Sequence, residues 1–308
     1  MRILVLGAGG TGGYFGGRLL EAGADVTFLV RPARAQRLAT DGLRIISLCG
    51  DFSSPVKTLT ALDGVATFDL ILLSCKAYDL DSAIAAIRPA VGPQTRILPL
   101  LNGLKHFDVL DAAFGSEHVL GGLCHISVTL GADGEIQHLN KLHRLTFGNR
   151  NADDKSLTTI AALLGSINAE VRVSEQITIE LWEKFVFLAS LAGITCLMRA
   201  SIGDIAATTD GAAFARRLLQ TCAEVARRSG IAPRERSLLE ADAALTAIDS
   251  TLKASMLRDI ERGGATEGEH ILGDMLARAR QYEIPNDVLA LARCHVQAYE
   301  VQRLRANI

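Results

Sequence analysis

Apolar residues along this chain follow two regimes. In the first, they come as short continuous runs: Ile3-Leu4-Val5-Leu6, Val26-Thr27-Phe28-Leu29-Val30, Phe68-Asp69-Leu70-Ile71-Leu72-Leu73 and Ile97-Leu98-Pro99-Leu100-Leu101. Runs of this kind, closed by turn residues, mark parallel strands buried on both faces. Helical spacing separates them at 33–40 and 81–87. Further strand pieces are expected at 43–47, 56–58, 119–129 and 171–173, with an amphipathic helix at 156–168 and a surface loop at 149–155. Gly131–Gly134 reads as a turn, and 135–138 with 144–147 as a hairpin. In the second regime, from about residue 176, the spacing predicts helices at 176–198, 203–208, 212–229, 234–262, 267–282 and 286–304. The pattern therefore predicts an α/β domain over 1–175 and a mainly α-helical domain over 176–308, without internal repeats. A chain of 308 residues exceeds what one hydrophobic core usually supports.

The first strand runs directly into Gly7-Ala8-Gly9-Gly10-Thr11-Gly12, a G-x-G-x-x-G pattern. The first glycine permits the tight turn, the second lets a diphosphate approach the backbone, and the third lets the following helix lie close to the strand. The unpartnered N–H groups at that helix start favour an anion. Strand, glycines, helix and second strand in register predict a Rossmann-type dinucleotide-binding unit held by Gly7, Ala8, Gly9, Gly10, Thr11 and Gly12. Arg31 ends the second strand, where an acidic residue would select NAD(H) and an arginine can pair with a 2′-phosphate. Asp25 lies at the strand's other end. The expected cofactor is therefore NADP(H). Arg34 and Arg37 read more simply as surface arginines.

Charge narrows the partners. Lys+Arg 32 against Asp+Glu 34 gives a formal charge of −2, with no long run of one sign, which argues against nucleic acid. The apolar N-terminus is a strand broken by glycines rather than a secretory segment. The longest uncharged stretch of the second regime, 185–198, falls short of the ~20 apolar residues a membrane span needs. The expected location is cytoplasmic, without a membrane partner. Cys49, Cys75, Cys124, Cys196, Cys222 and Cys294 show no C-x-x-C pair and read as reduced thiols. His138 and His143 lack metal-ligand spacing and read as surface polar residues, so no metal is expected. The apolar helices 176–198 and 286–304 serve equally as internal core or as a homodimer face.

Four positions outside the glycine loop stand out. Lys76 and Asn102 fall at the carboxyl ends of strands, where open sheets of this class bind ligands. Each also reads singly as a loop lysine or a turn former. Lys184 shares a helix face with Leu188, Leu191, Ala192 and Thr195; it either snorkels to solvent or sits in a partly dry cleft suited to proton transfer. Thr266 with Glu269 reads as a capping box, which puts Glu267 in a helix first turn.

Taken together these residues resemble the ketopantoate reductase (2-dehydropantoate 2-reductase) family over nearly the whole chain. The resemblance rests on Gly7-x-Gly9-x-x-Gly12, Arg31, Ser74-Cys75-Lys76-Ala77, Asn102-Gly103, Leu181-Trp182-x-Lys184, Ser255-x-x-x-Asp259, Thr266-Glu267 and Ile284-Pro285-Asn286. It implies a cleft between a Rossmann domain and a helical domain, and NADPH-dependent reduction of a small-molecule 2-oxo acid to a 2-hydroxy acid. The implied catalytic residues are Lys184, as proton donor, with Asn102 and Glu267. Lys76 and Asn102 would position substrate and nicotinamide, Ser255 would bind substrate, and Glu267 would contact the cofactor. By family, the substrate is ketopantoate and the setting pantothenate biosynthesis. One departure matters: family asparagines that bind substrate are replaced here by Leu188, Ala192 and Ile202. An apolar wall favours apolar tails, so a reductase of a less polar 2-oxo acid stands as an alternative. A non-catalytic NADP(H)-binding sensor is a second.

Overall fold

The computed structural model describes residues 1–151 and 157–306; part of the loop expected at 149–155 lies outside them. In chain order the elements are β1 (Arg2–Leu6), α1 (Gly10–Glu21), β2 (Asp25–Leu29), α2 (Pro32–Asp41), β3 (Leu43–Ser47), β4 (Phe52–Ser54), β5 (Lys57–Leu59), β6 (Leu70–Leu73), α3 (Leu80–Ile87), β7 (Arg96–Pro99), α4 (Lys105–Phe114), β8 (Gly121–Leu130), β9 (Ile136–Gly148), α5 (Leu157–Gly165) and β10 (Glu170–Val173). Helices follow: α6 (Ile177–Met198), α7 (Ile202–Ala206), α8 (Gly211–Arg228), α9 (Glu235–Leu245), α10 (Ser255–Glu261), α11 (Asp274–Gln281) and α12 (Asp287–Ala306). Two compact units result: residues 1–101 with 106–177, and residues 102–105 with 178–308.

The first unit holds two sheets. One is a five-stranded parallel sheet in the order β5-β2-β1-β6-β7, a Rossmann arrangement. Its central residues Ile3, Leu4, Leu70, Ile71 and Leu73 are fully buried, as continuous apolar runs require. The other sheet runs β10-β9-β3-β4, with β8 along β9. Helix α1 lies between the two. A Cβ on Gly16 would come within 2.7 Å of the Phe28 ring in the first sheet. On Gly13 and Gly17 it would meet Ile136 at 2.3 Å and Ile45 at 2.5 Å in the second. Small residues on both sides of α1 thus set the spacing of the sandwich, and Tyr14, Phe15 and Leu19 fill what remains.

The hairpin differs from expectation. The segments 135–138 and 144–147 do not pair with each other; they belong to one strand, β9, which pairs antiparallel with β8 across the Gly131–Gly134 turn. The register shifts between Ile126 and Val128, and the surplus residues of β9 bulge outward with Leu139 and Leu142 exposed. His138 and His143 are not surface residues either. His138 hydrogen-bonds Ser47 Oγ at 2.8 Å and His143 meets the Tyr14 hydroxyl at 2.7 Å.

The second unit is helical. Helix α6 spans 22 residues and is long and apolar enough to cross a membrane, although its uncharged part alone fell short; 72% of its most apolar window is buried inside the fold, which makes it a core helix. Its hydroxyls bond backward along the helix, Ser190 to Val186 and Thr195 to Leu191, so burying them leaves no unmet donor. Burial pushes the thiols of Cys196 and Cys222 up to about 12, as expected for cysteines acting as small hydrophobes.

The helix expected at 234–262 is broken into α9 and α10. Residues 246–254 carry Thr246, Asp249, Ser250 and Thr251, which compete for main-chain hydrogen bonds. Their carbonyls are used elsewhere: Ile202 N–H donates to Leu252 and Gly203 N–H to Ser250. The helix expected at 267–282 is replaced at its start by a single π-helical turn, Glu269–Gly273. The capping box does not form. Glu269 binds Arg293 and Gln297 instead, and the Thr266 N–H goes to Glu300, because two basic or amide side chains outcompete one backbone N–H for the Glu269 carboxylate.

Replacing Gly16 by valine should lower stability by roughly 1–3 kcal/mol through overpacking against the Phe28 ring, read as the urea midpoint. Gly165→Ala, where an added Cβ meets nothing within 4 Å, should be neutral or stabilising. Equal midpoints for the two variants would contradict this packing of α1.

Candidate active site

The glycine loop sits where β1 hands over to α1. Gly7 has φ +89, which a side chain would strain. Its N–H bonds to Leu29 O across the sheet. A Cβ on Gly12 would lie 2.1 Å from Ser74 Oγ and 2.6 Å from Gly7 O, so helix and strand ends approach as closely as backbones can. Ser74 in turn donates to Leu6 O at 3.1 Å. At Gly9 the situation is reversed: an added Cβ would meet nothing within 4 Å. Gly9 caps α1 without any side-chain hydrogen bond, and no acidic residue occupies the first turn. The first N–H groups of α1 are thus placed to favour an anion, with open space beside Gly9.

Arg31 lies at the end of β2, exposed, with its guanidinium 2.9 Å from Asp79. Such an exposed pair is worth roughly 0–1 kcal/mol, so a 2′-phosphate can displace Asp79 at little cost. Arg34 is not a surface arginine. It donates through Nε and Nη2 to Ala8 O and through Nη1 to Gly134 O, bracing the glycine loop against the β8–β9 turn. Burial lowers its pKa. Sequence spacing gave no sign of this, since the partners are main-chain carbonyls far along the chain. Lys76 is half-buried at the carboxyl end of β6, just before the single turn Ala77–Asp79.

In the second unit Lys184 is half-buried, one turn before the half-buried Leu188 and two before the buried Ala192. Leu191 and Thr195 on that face are also buried. The preceding residue, Glu183, is 9% exposed and is gripped by Arg234: N–H and Nε both donate to Oε1 at 2.8 Å, and Nη2 to Oε2 at 2.5 Å. This charge-assisted fork fixes the rotation of α6 beside Lys184. Asn102 is half-buried and Gly103 buried with φ +83; both group with the second unit. Glu267 is 8% exposed. His270 lies with its ring beside Gly103; burial lowers its pKa, against the opposing pull of the Glu267 charge. Ser255 is exposed at the first position of α10. Ile202, by contrast, is fully buried, so its side chain belongs to the core.

Comparison with known proteins decides the family. Residues 3–152 match the family model described as ketopantoate reductase PanE/ApbA, and residues 176–300 match that of its C-terminal part. The chain belongs to the ketopantoate reductase family. It is 38% identical over 305 residues to a Bacillus subtilis (strain 168) protein named uncharacterized oxidoreductase YkpB, covering 98% of this chain and 100% of that one. The solved 2-dehydropantoate 2-reductase of Geobacter metallireducens GS-15 superposes with a TM-score of 0.88 at 27% identity, covering 97% of this chain and 99% of that one. A D-mandelate dehydrogenase solved with NADH and anilino(oxo)acetate shares the fold, with a TM-score of 0.88 at 20% identity and coverage of 98% and 99%. Membership makes this protein an oxidoreductase, an NADPH-dependent reductase of 2-oxo acids. The open N-terminus of α1 and the displaceable Arg31 pair fit that cofactor.

The two glycines separate binding from folding. Gly9→Ala should leave the melting temperature unchanged yet weaken NADPH roughly tenfold or more, because its methyl fills the diphosphate's approach. Gly12→Ala should lower both stability and affinity, since the atoms it meets include a backbone carbonyl. Unchanged NADPH affinity in Gly9→Ala, measured by fluorescence titration, would contradict this placement.

Proposed function

We propose that this enzyme reduces a 2-oxo acid with a less polar tail than ketopantoate's to the corresponding 2-hydroxy acid. Lys184 acts as proton donor, Asn102 and Lys76 position the substrate and the nicotinamide, Ser255 binds substrate, and Glu267 orders the cofactor end. The carrying observation is the face of α6 that follows Lys184: Leu188 and Ala192 present no amide to a substrate hydroxyl. Of the three apolar replacements, Leu188 keeps the most access, so it carries the selectivity.

When bound, NADPH supplies the hydride that adds to C2 of the substrate. Charge builds on the ketone oxygen as that bond forms. The Lys184 ammonium stabilises it and gives it a proton, and water returns a proton to the amine. Low polarity around α6 strengthens that charge–charge interaction relative to water. The amide of Asn102 adds a neutral donor. Glu267, nearly buried, gives the second unit a fixed negative charge beside His270.

A second reading, ketopantoate to pantoate within pantothenate biosynthesis in the cytoplasm, is supported by the many relatives named 2-dehydropantoate 2-reductase. The sensor alternative is disfavoured because a protein that only binds NADP(H) needs neither Lys184 nor Glu267.

Steady-state assays with NADPH and a panel of 2-oxo acids test the proposal. Straight or branched aliphatic 2-oxo acids should give a higher kcat/KM than ketopantoate, and Leu188→Asn should move the preference toward the hydroxylated substrate. Lys184→Ala should cost roughly 100-fold or more in kcat. A wild-type preference for ketopantoate would favour the second reading. NADPH binding with no turnover of any 2-oxo acid would favour the sensor.

A further inference from the structure

Glu267 is nearly buried, and the chain on both sides of it is held by one helix, α12. Residues 263–266 carry the chain from the end of α10 to Glu267. The start of that bridge closes on α10 itself. Gly263 has φ +72; its N–H donates to Ile260 O and the Gly264 N–H to Asp259 O, the pair of bonds that ends a helix on a left-handed glycine. Beyond it the bridge belongs to no helix or strand, so its main-chain groups need partners from elsewhere. Two consecutive residues of α12 supply them. The Tyr299 hydroxyl donates to Gly264 O at 2.8 Å, and the Thr266 N–H donates to Glu300 Oε1 at 2.7 Å. Glu300 is itself steadied by Arg303, whose Nε donates to Oε2 at 2.9 Å.

The far side of Glu267 meets the same helix. A Cβ on Gly268 would stand 2.5 Å from Val296 Cγ1, so the chain passes α12 at a distance only glycine allows. Glu269 then accepts from Arg293 Nη2 at 2.9 Å and from Gln297 Nε2 at 2.8 Å. Arg293, Val296, Gln297 and Glu300 recur at helical spacing and share one face of α12. Residues 266, 268 and 269 are fitted to that face, and the chain is gripped on either side of Glu267. Of the bonds from α12 to the main chain, that between Glu300 and Thr266 lies nearest Glu267, and it is charge-assisted.

We infer that Glu300 is a positioning residue: by accepting the Thr266 N–H it sets the direction in which the chain enters Glu267, and so the place of the Glu267 carboxylate. The catalytic consequence rests on the role proposed for Glu267, and the hold on Thr266 rests on the geometry of α12.

Three substitutions in the full chain separate the acceptor from charge and bulk. Glu300→Gln keeps an amide oxygen at the same reach; Glu300→Asp keeps the charge but draws it back by one methylene; Glu300→Ala removes both. Each is assayed for kcat, KM and NADPH affinity, and hydrogen–deuterium exchange is followed over a peptide spanning 262–270. The Asp and Ala variants should lose roughly tenfold in kcat/KM, the scale set by leaving one N–H unpaired, and should exchange faster over that peptide. Glu300→Gln should stay within about threefold of wild type in both. In a Glu267→Ala background, Glu300→Ala should cost less than about twofold more, because a residue acting through Glu267 has nothing left to position. Should Glu300→Ala not fold, Glu300→Asp takes its place in that comparison. An additive loss in the double variant, an equal loss in Glu300→Gln, or unchanged kcat/KM or unchanged exchange in the Asp and Ala variants each overturns the inference. If wild type turns over no 2-oxo acid, or Glu267→Ala behaves as wild type, the reading of Glu267 fails by itself. Exchange then decides alone: faster exchange in the Asp variant, reversed in Gln, supports the hold on Thr266, and unchanged exchange overturns it.

Discussion

A lysine at the head of a core helix is the constraint on which the second unit is built. Helix α6 carries its charges in its first turns, at Glu180, Glu183 and Lys184, and nothing ionisable but the Cys196 thiol from there to its end. The apolar remainder must be buried, and is. Burying it fixes the helix, and with it the level at which the Lys184 amine stands. Rotation is fixed separately. The Glu183 carboxylate is nearly buried, and removing such a charge from water would be costly without a partner. Arg234 supplies three donors to it from the start of α9. One residue therefore anchors the helix immediately before Lys184, the proposed proton donor.

The first unit obeys a different constraint, close approach. Its α1 helix is flanked by two sheets and can be so only because glycines face each of them. The same economy of side chains leaves Gly9 open in front of the helix start. Packing draws on Gly13, Gly16 and Gly17, while Arg34, bonded to Ala8 and Gly134, braces the loop that carries the open Gly9.

How much of this the sequence disclosed depended on the range of the interactions. The parallel sheet was legible because Ile3–Leu6 and Leu70–Leu73 are continuous apolar runs with nothing else to be. The glycine loop and the apolar face after Lys184 were legible for the same reason: periodicity and spacing act locally. The break between α9 and α10 was not, because the bonds that hold 250–252 open come from Ile202 and Gly203. The capping box at Thr266–Glu269 failed because Arg293 and Gln297, on α12, compete for Glu269. His270 carried no signal at all: it packs against Gly103, far along the chain, and such a contact leaves no mark in local spacing. The merging of two strand pieces into β9 was hidden by the outward bulge at 139–142, which reads as a turn.

The central claim is that an amine at position 184 delivers the proton. Chemical rescue tests it most directly: Lys184→Ala, folded and binding NADPH, is assayed for 2-oxo acid reduction with methylamine or ethylamine added. The account predicts that turnover rises with alkylammonium concentration and that a tertiary amine too bulky for the space gives no such rise. A variant that binds NADPH and substrate but responds to no small amine would contradict it.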